Sequence, residues 1–129
     1  MLSDLKKYLY EPDPAAIKAH LINELATTFK ISTIHPQVAY LTSEKYIGTP
    51  WLKTYQVIDS CPVDFPRIKK ILKKHEIHRI DCKARGLTLD LHKIQKELNS
   101  KGKNIGLVIF TWVNNKKTAI IAQYLWDFT

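Results

Sequence analysis

The sequence predicts an α+β fold, a two-layer sandwich of ferredoxin-like kind in which one sheet carries two helices on a single face. Three observations predict it. From residue 52 onward, segments patterned at the strand period of two exchange with segments at the helical period, in the order β-α-β-α-β-β. Each helical segment opens on a residue type that caps helices, Asp64 in one case and Thr88 in the other. The last two strands are almost wholly apolar and meet at Asn114-Asn115, a hairpin turn.

A helix and a short strand precede the sandwich. In "YLYEPDPAAIKAHLINELATTF" (8–29), Glu11 and Asp13 each stand before a proline and are pushed out of the helical region. Tyr8, Leu9 and Tyr10 then read as an apolar linker. Asp13 caps a helix with Pro14 at its first position, where the missing N–H costs nothing. Ile17, Leu21, Leu25 and Phe29 recur at helical spacing, which predicts one amphipathic helix over 14–29. "HPQVAYLTS" gives a short strand around Val38–Leu41, closed by polar residues and by "GTP" at 48–50.

"LKTYQVIDSC" (52–61) is a longer strand of aromatic and β-branched residues, ended by Cys61-Pro62. "DFPRIKKILKKH" is a helix with Asp64 as cap and Pro66 in its first turn. Phe65, Ile68, Ile71, Leu72 and His75 face inward, and Arg67, Lys69, Lys70, Lys73 and Lys74 outward. His78, Ile80, Cys82 and Ala84 then alternate with Arg79, Asp81, Lys83 and Arg85 along a strand with one buried face. Gly86 supplies the turn, and the helix that Thr88 caps buries Leu87, Leu91, Ile94 and Leu98. "SKGKN" is a turn, and "IGLVIFTWV" and "KTAIIAQYLW" are the closing strands. Both faces of those strands are apolar, so the second face of the sheet needs a cover. The helix at 14–29 or an upstream domain would supply it. Residues 1–50 are thus a linking helix and strand, and residues 51–129 the sandwich.

A chain of 129 residues, 45% hydrophobic and 25% charged, is long enough for one domain with a real core. No apolar run reaches bilayer length, and the N-terminus lacks the apolar core of a signal peptide. Cys61 and Cys82, without C-x-x-C spacing, signal neither a disulfide framework nor a zinc ribbon. A cytoplasmic protein is expected. The net charge is +8, and its distribution is lopsided. Residues 1–60 carry six lysines against six acids, whereas residues 61–129 carry fourteen cations against six acids. A polyanionic partner, nucleic acid above all, fits that asymmetry.

Catalysis within the chain is not signalled. The glycines at 48, 86, 102 and 106 form no G-x-G, and no H-E-x-x-H occurs, so no nucleotide loop and no metal site is expected. His78 and Cys82 share a strand face and pack in the core. The cations carry more information. Lys69, Lys70, Lys73 and Lys74 line one helix face, where they add salt-dependent affinity for phosphate or are simply solvated. Arg79, Lys83 and Arg85 repel one another along one side of a strand, with only Asp81 to relieve them. Arg85-Gly86 places a cation and a flexible backbone just ahead of a helix N-terminus, where an anion would be welcome. Tyr55, Phe110, Trp112, Tyr124 and Trp126 lie on strands, as core or as platforms for unpaired bases.

Three segments carry a resemblance: "YLYEPDPAAIKA" (8–19), "HPQVAYLTS" (35–43) and "RIDCKARGLTLDLHKIQKEL" (79–98). In their order they resemble the C-terminal, THUMP-like portion of a bacterial family of class I S-adenosylmethionine-dependent methyltransferases. That pattern runs YEPD-x-A, then Y-L-T-S, then K-x-R-G-V before a helix and a terminal hairpin. Here the last motif reads Lys83-Ala84-Arg85-Gly86-Leu87, with Ala84 where a second basic residue is frequent. The resemblance implies that the chain is the C-terminal portion of an RNA methyltransferase whose catalytic domain would precede residue 8. S-adenosylmethionine would then bind that domain and not this chain. The partners implied are RNA, either tRNA or rRNA, and the catalytic domain to which the RNA is presented. Lys83, Arg85 and Gly86 match the motif with a binding role; Arg79, Lys69, Lys70 and Lys73 would extend the contact. A structural module competes with this reading, one that docks the upstream domain or a second copy and has no affinity for nucleic acid.

Overall fold

Asp64 caps its helix as expected: its side chain accepts from the Arg67 N–H in a computed structural model that describes residues 2–125. The elements are β1 (Tyr8–Pro12), α1 (Pro14–Lys18), α2 (Ile22–Phe29), β2 (Ser32–His35), β3 (Val38–Ser43), β4 (Leu52–Pro62), α3 (Phe65–Lys74), β5 (Arg79–Ala84), α4 (Leu91–Leu98), β6 (Ile105–Val113) and β7 (Lys116–Tyr124). From β4 on, the order is the predicted β-α-β-α-β-β, and the fold is an α+β sandwich. β5 and β6 run parallel through the α4 crossover, and the other pairs are antiparallel. Ile68 and Leu72 of α3 and Ile94 and Leu98 of α4 bury themselves against Cys61, Ile80, Val108, Phe110 and Ile121. Asn114, at φ 54°, takes the left-handed turn conformation between β6 and β7.

Two details of this half differ from expectation. His75 is exposed, because it closes α3 as the C-cap instead of extending the buried face. Thr88 does not cap α4. Asp90 does, accepting from the Lys93 N–H at 3.2 Å, so the helix starts two residues later. A carboxylate one turn ahead of the apolar run outcompetes the hydroxyl, since it also answers the helix dipole.

The first fifty residues depart further. Tyr8–Tyr10 are no linker but part of β1, an interior strand between β3 and β4, with Leu9 and Tyr10 fully buried. The single helix over 14–29 is two. His20 takes a left-handed φ of 59° and the Leu21 N–H returns to the Ala16 carbonyl at 3.0 Å, a Schellman-type closure of α1. The break leaves Ile17 exposed and lets α2 bury Ala26 against Tyr10, Ile31, Leu41 and Leu52. A further strand, β2, precedes β3.

The seven strands of the described residues form one sheet in the order β2-β3-β1-β4-β7-β6-β5. Flat, it would hold β2 and β6 roughly 24 Å apart, five strand spacings. Instead the Asn114 N–H, just past β6, donates to the Ile34 carbonyl of β2 at 2.7 Å. The sheet therefore curls into an open barrel, helped by a bulge in β4 between Val57 and Asp59. Leu9, Ile34, Tyr40, Leu107, Ile109 and Ile120 fill the concave side, while the helices lie on the convex side. The cover that the second apolar face required is the sheet itself.

Candidate functional site

Alternation along β5 sends Ile80, Cys82 and Ala84 to the helix-side core and Arg79, Asp81, Lys83 and Arg85 the other way. The cations on that side do not stand unrelieved. Glu11 of β1 reaches across the open barrel to them. Its Oε1 accepts from Lys83 Nζ at 3.3 Å, and its Oε2 from Arg85 Nη2 at 2.7 Å. Tyr55 joins the cluster: its hydroxyl donates to Glu11 Oε1 at 3.0 Å and accepts from Lys83 Nζ at 2.9 Å. Four strand spacings, about 19 Å in a flat sheet, have closed to hydrogen-bonding distance.

Burial grades the cluster. Side-chain exposure rises from 14% for Glu11 through 29% for Lys83 to 55% for Arg85. Burial alone would raise the Glu11 pKa, but the Arg85 hydrogen bond, the Lys83 charge and the Tyr55 hydroxyl together hold it below the ordinary carboxylate value. The Tyr55 hydroxyl is pushed well above its usual value by burial and then by the Glu11 charge. Tyr40 is pushed up to about 12 by the same two causes in the same order. At neutral pH the site is one carboxylate, two cations and two protonated phenols, with a net charge of +1.

The Arg85-Gly86 turn is pinned to β6, not to a helix end. The Arg85 N–H donates to the Phe110 carbonyl, Thr111 Oγ1 to the Arg85 carbonyl, and Trp112 Nε1 to the Gly86 carbonyl at 2.9 Å. Gly86 has φ +74°, and a Cβ there would stand 3.1 Å from Trp112 Cδ1. The positive φ favours glycine, and any side chain there would also press on the Trp112 ring. The anion site expected at the following helix N-terminus is not formed, because α4 begins at Leu91 and the Asp90 carboxylate occupies its first turn. What lies beside the turn is a cleft of about 200 Å³ whose walls include Glu11, Ile17, Val38, Tyr40, Arg85 and Gly86.

Of the residues singled out from the sequence, Lys83, Arg85 and Gly86 come together here. Arg79 does not: it sits six residues back along the strand direction, roughly 20 Å from Arg85, and is exposed. Lys69, Lys70 and Lys73 lie on α3, on the opposite face of the sheet. Lys69 pairs with Glu97 at 3.7 Å, both half exposed, a contact worth at most about 1 kcal/mol. Among the aromatics, Tyr55 belongs to the concave core and Phe110 to the helix-side core; Trp112 and Tyr124 are partly exposed. Lys117 lies over the Trp112 ring, and the Tyr124 hydroxyl donates to Asp81. Trp126 lies outside the described residues.

Glu11 and Tyr40 were missed as site residues, and Tyr55, singled out only as a strand aromatic, enters the site through its hydroxyl. One signal pointed to the first: three like charges along one strand with a single acid between them require a carboxylate from elsewhere. Among the described residues, no three His, Cys, Asp or Glu side chains cluster with metal-binding geometry. Burial pushes the Cys82 thiol up to about 11, which keeps it unreactive at neutral pH. Among the described residues, no helix is long and apolar enough to cross a membrane. Of the fourteen Lys and Arg from residue 61 on, only Lys69, Lys83 and Arg85 form ion pairs among the described residues.

Residues 52–124, from β4 to the end of β7, match the family described as THUMP domain-like. An uncharacterized S-adenosylmethionine-dependent methyltransferase of Mycobacterium tuberculosis, in strains CDC 1551 and H37Rv, is 21% identical over 119 residues, covering 92% of this chain and 33% of the relative. A crystal structure from Porphyromonas gingivalis W83, of a protein assigned as a methyltransferase, superposes with a TM-score of 0.74 at 20% identity. That match covers 98% of this chain and 32% of the other, and it shows a shared fold. The chain spans about a third of the length of the relatives it matches.

Proposed function

Because the chain belongs to the THUMP domain-like family, we propose that it is a non-catalytic RNA-binding module that presents tRNA or rRNA to the catalytic domain of an S-adenosylmethionine-dependent methyltransferase. The observation that carries this reading is the surface charge. Eleven of the fourteen cations from residue 61 onward have no ion-pair partner among the described residues, and they concentrate on α3, α4 and the turns beside them. Unpaired surface cations of this kind bind phosphate and displace counterions. Lys70 and Lys73 contact the backbone, with Lys69 beside them. Arg79 lengthens the footprint along β5. Arg85, half exposed, keeps N–H donors beyond the one given to Glu11, and Gly86 lets a backbone approach. Lys83 acts mainly by holding Glu11. S-adenosylmethionine belongs to the catalytic domain in this scheme. Contacts of this type position RNA without reading its sequence.

Fluorescence anisotropy of the chain with total tRNA and a matched DNA duplex, across a salt series, tests the reading. Engagement of four phosphates gives a slope of about −3 in log K against log salt, with RNA preferred. No binding at low salt refutes it. One observation favours a docking role instead: Trp51 and Ile17 are 49% and 37% exposed, on segments that Asp13 joins through its N–H to the Trp51 carbonyl and its carbonyl to the Ile17 N–H. Sedimentation showing a dimer without RNA affinity would select that reading.

A further inference from the structure

Tyr40 is 1% exposed, and its hydroxyl is the one buried side-chain polar atom among the described residues that completes no hydrogen bond. The Arg85 guanidinium is near enough to act on its titration without completing a bond. Burying an unpaired hydroxyl costs stability, and phenylalanine would fill the same space without that cost. The group is also not hidden at random. Tyr40 forms part of the wall of the cleft with Arg85, Gly86 and Glu11, its neighbour on β1 one step past the Tyr10–Leu41 pair.

We propose that this cleft is a phosphate subsite, in which one phosphate group accepts hydrogen bonds from Arg85 and from the Tyr40 hydroxyl. Several features fit that ligand. Glu11, Lys83 and Arg85 leave the mouth with a net charge of +1, enough for a phosphodiester monoanion. Glu11 takes one guanidinium nitrogen at 2.7 Å and fixes the fork, leaving Arg85's other N–H groups for a second acceptor. Gly86 has no side chain to block the approach. The cleft, at about 200 Å³, is smaller than the roughly 300 Å³ at which small-molecule pockets begin, so it suits a phosphate group and not a whole nucleotide. The hydroxyl is buried, and the half-exposed Arg85 side chain is the group beside it that can give way to a ligand while its bond to Glu11 is kept. Glu11 is thus a positioning residue for Arg85, and Tyr40 the neutral donor.

The source of the phosphate, an RNA backbone, rests on the RNA-module reading; free phosphate offers the same chemistry. The test uses the full chain and its Tyr40→Phe variant, with Arg85→Lys as a second variant that keeps the charge and loses the planar fork. Two-dimensional amide spectra follow the Gly86 resonance during titration with inorganic phosphate, and anisotropy follows a single-stranded oligoribonucleotide. Phosphate is expected to shift Gly86 in the native chain and to do so much less in either variant. Tyr40→Phe should weaken RNA binding about tenfold at an unchanged salt slope, because no charge is removed. Should phosphate leave Gly86 unmoved and Tyr40→Phe bind RNA like the native chain, the subsite is wrong while the RNA reading stands. Should phosphate bind in a Tyr40-dependent manner while RNA does not bind, the subsite stands with free phosphate as its ligand and the RNA reading falls. A Gly86 shift that Tyr40→Phe leaves intact removes Tyr40 from the site and overturns the proposal.

Discussion

Replacing Glu11 with Gln should loosen the barrel and strengthen RNA binding together. The substitution keeps the shape and removes the charge that two cations share. Breaking a buried ion pair by removing one partner costs about 3–5 kcal/mol. Glu11 itself is well buried, but Lys83 is 29% and Arg85 55% exposed, so water reclaims part of that cost. About 2–3 kcal/mol remains, which for a chain of this size lowers the melting midpoint by about 10 °C. Urea denaturation read by tryptophan fluorescence measures the loss. The pH dependence carries a signature of its own. The native Glu11 pKa lies below its unfolded value, near 4.3, so its contribution is fully present above that pH. It fades as the pH falls through the lower, folded value. The native chain should therefore lose this increment under acid, and Glu11→Gln should not. In the same variant the carboxylate that opposes Lys83 and Arg85 is gone, so RNA affinity at low salt should rise severalfold with a steeper salt slope, the added net charge outweighing the looser Arg85 fork. A variant within about 0.5 kcal/mol of the native chain would show that the cluster does not hold the barrel shut.

Gly86→Ala should destabilise by about 1–2 kcal/mol, because φ is +74° and the new Cβ meets Trp112 at 3.1 Å; urea midpoints check it. Asp90→Ala should cost about 1 kcal/mol through loss of the α4 cap, whereas Thr88→Ala should stay within about 0.5 kcal/mol; equal effects would return the cap to Thr88. Lys70→Glu with Lys73→Glu should leave the midpoint nearly unchanged yet weaken RNA binding at least tenfold at low salt and flatten the salt slope. Unchanged anisotropy in that variant would place RNA elsewhere or remove it altogether.

The sandwich from β4 onward was legible because its signals are local. Asp64 and Pro66 punctuate α3, β5 alternates without interruption, and Gly86 marks its turn where glycine is needed. β1 was not, because Leu9 and Tyr10 find their partners at Tyr55, Thr42 and Leu41, more than thirty residues away. A five-residue strand that itself ends on Pro12, with Pro14 just beyond, carries no periodicity that separates a buried strand from a linker. The break in the predicted helix was hidden because a histidine, His20, takes the left-handed position that glycine usually announces. At the site the cations stood out and their partner did not. Glu11 and Lys83 are 72 positions apart, and only the curl of the sheet brings them together. Tyr40 reads as one more aromatic in a strand until its hydroxyl is seen to lack a partner.

The strand order sets a schedule for the nascent chain. β4 is central, with β1 on one side and β7 on the other, and β7 follows it by about fifty residues. At about 5–20 residues per second, the second edge of β4 waits roughly 3–10 s for the strand that covers it. During that interval Tyr55 and Val57 stand on an unpaired edge, and neither side of the barrel can close. Only when Lys116–Tyr124 slots between β4 and β6 do the two ends of the sheet approach and Glu11 meet Lys83. The nascent chain is therefore most exposed to aggregation just before β7 emerges, and slowing translation after Pro62 should lengthen the hazard.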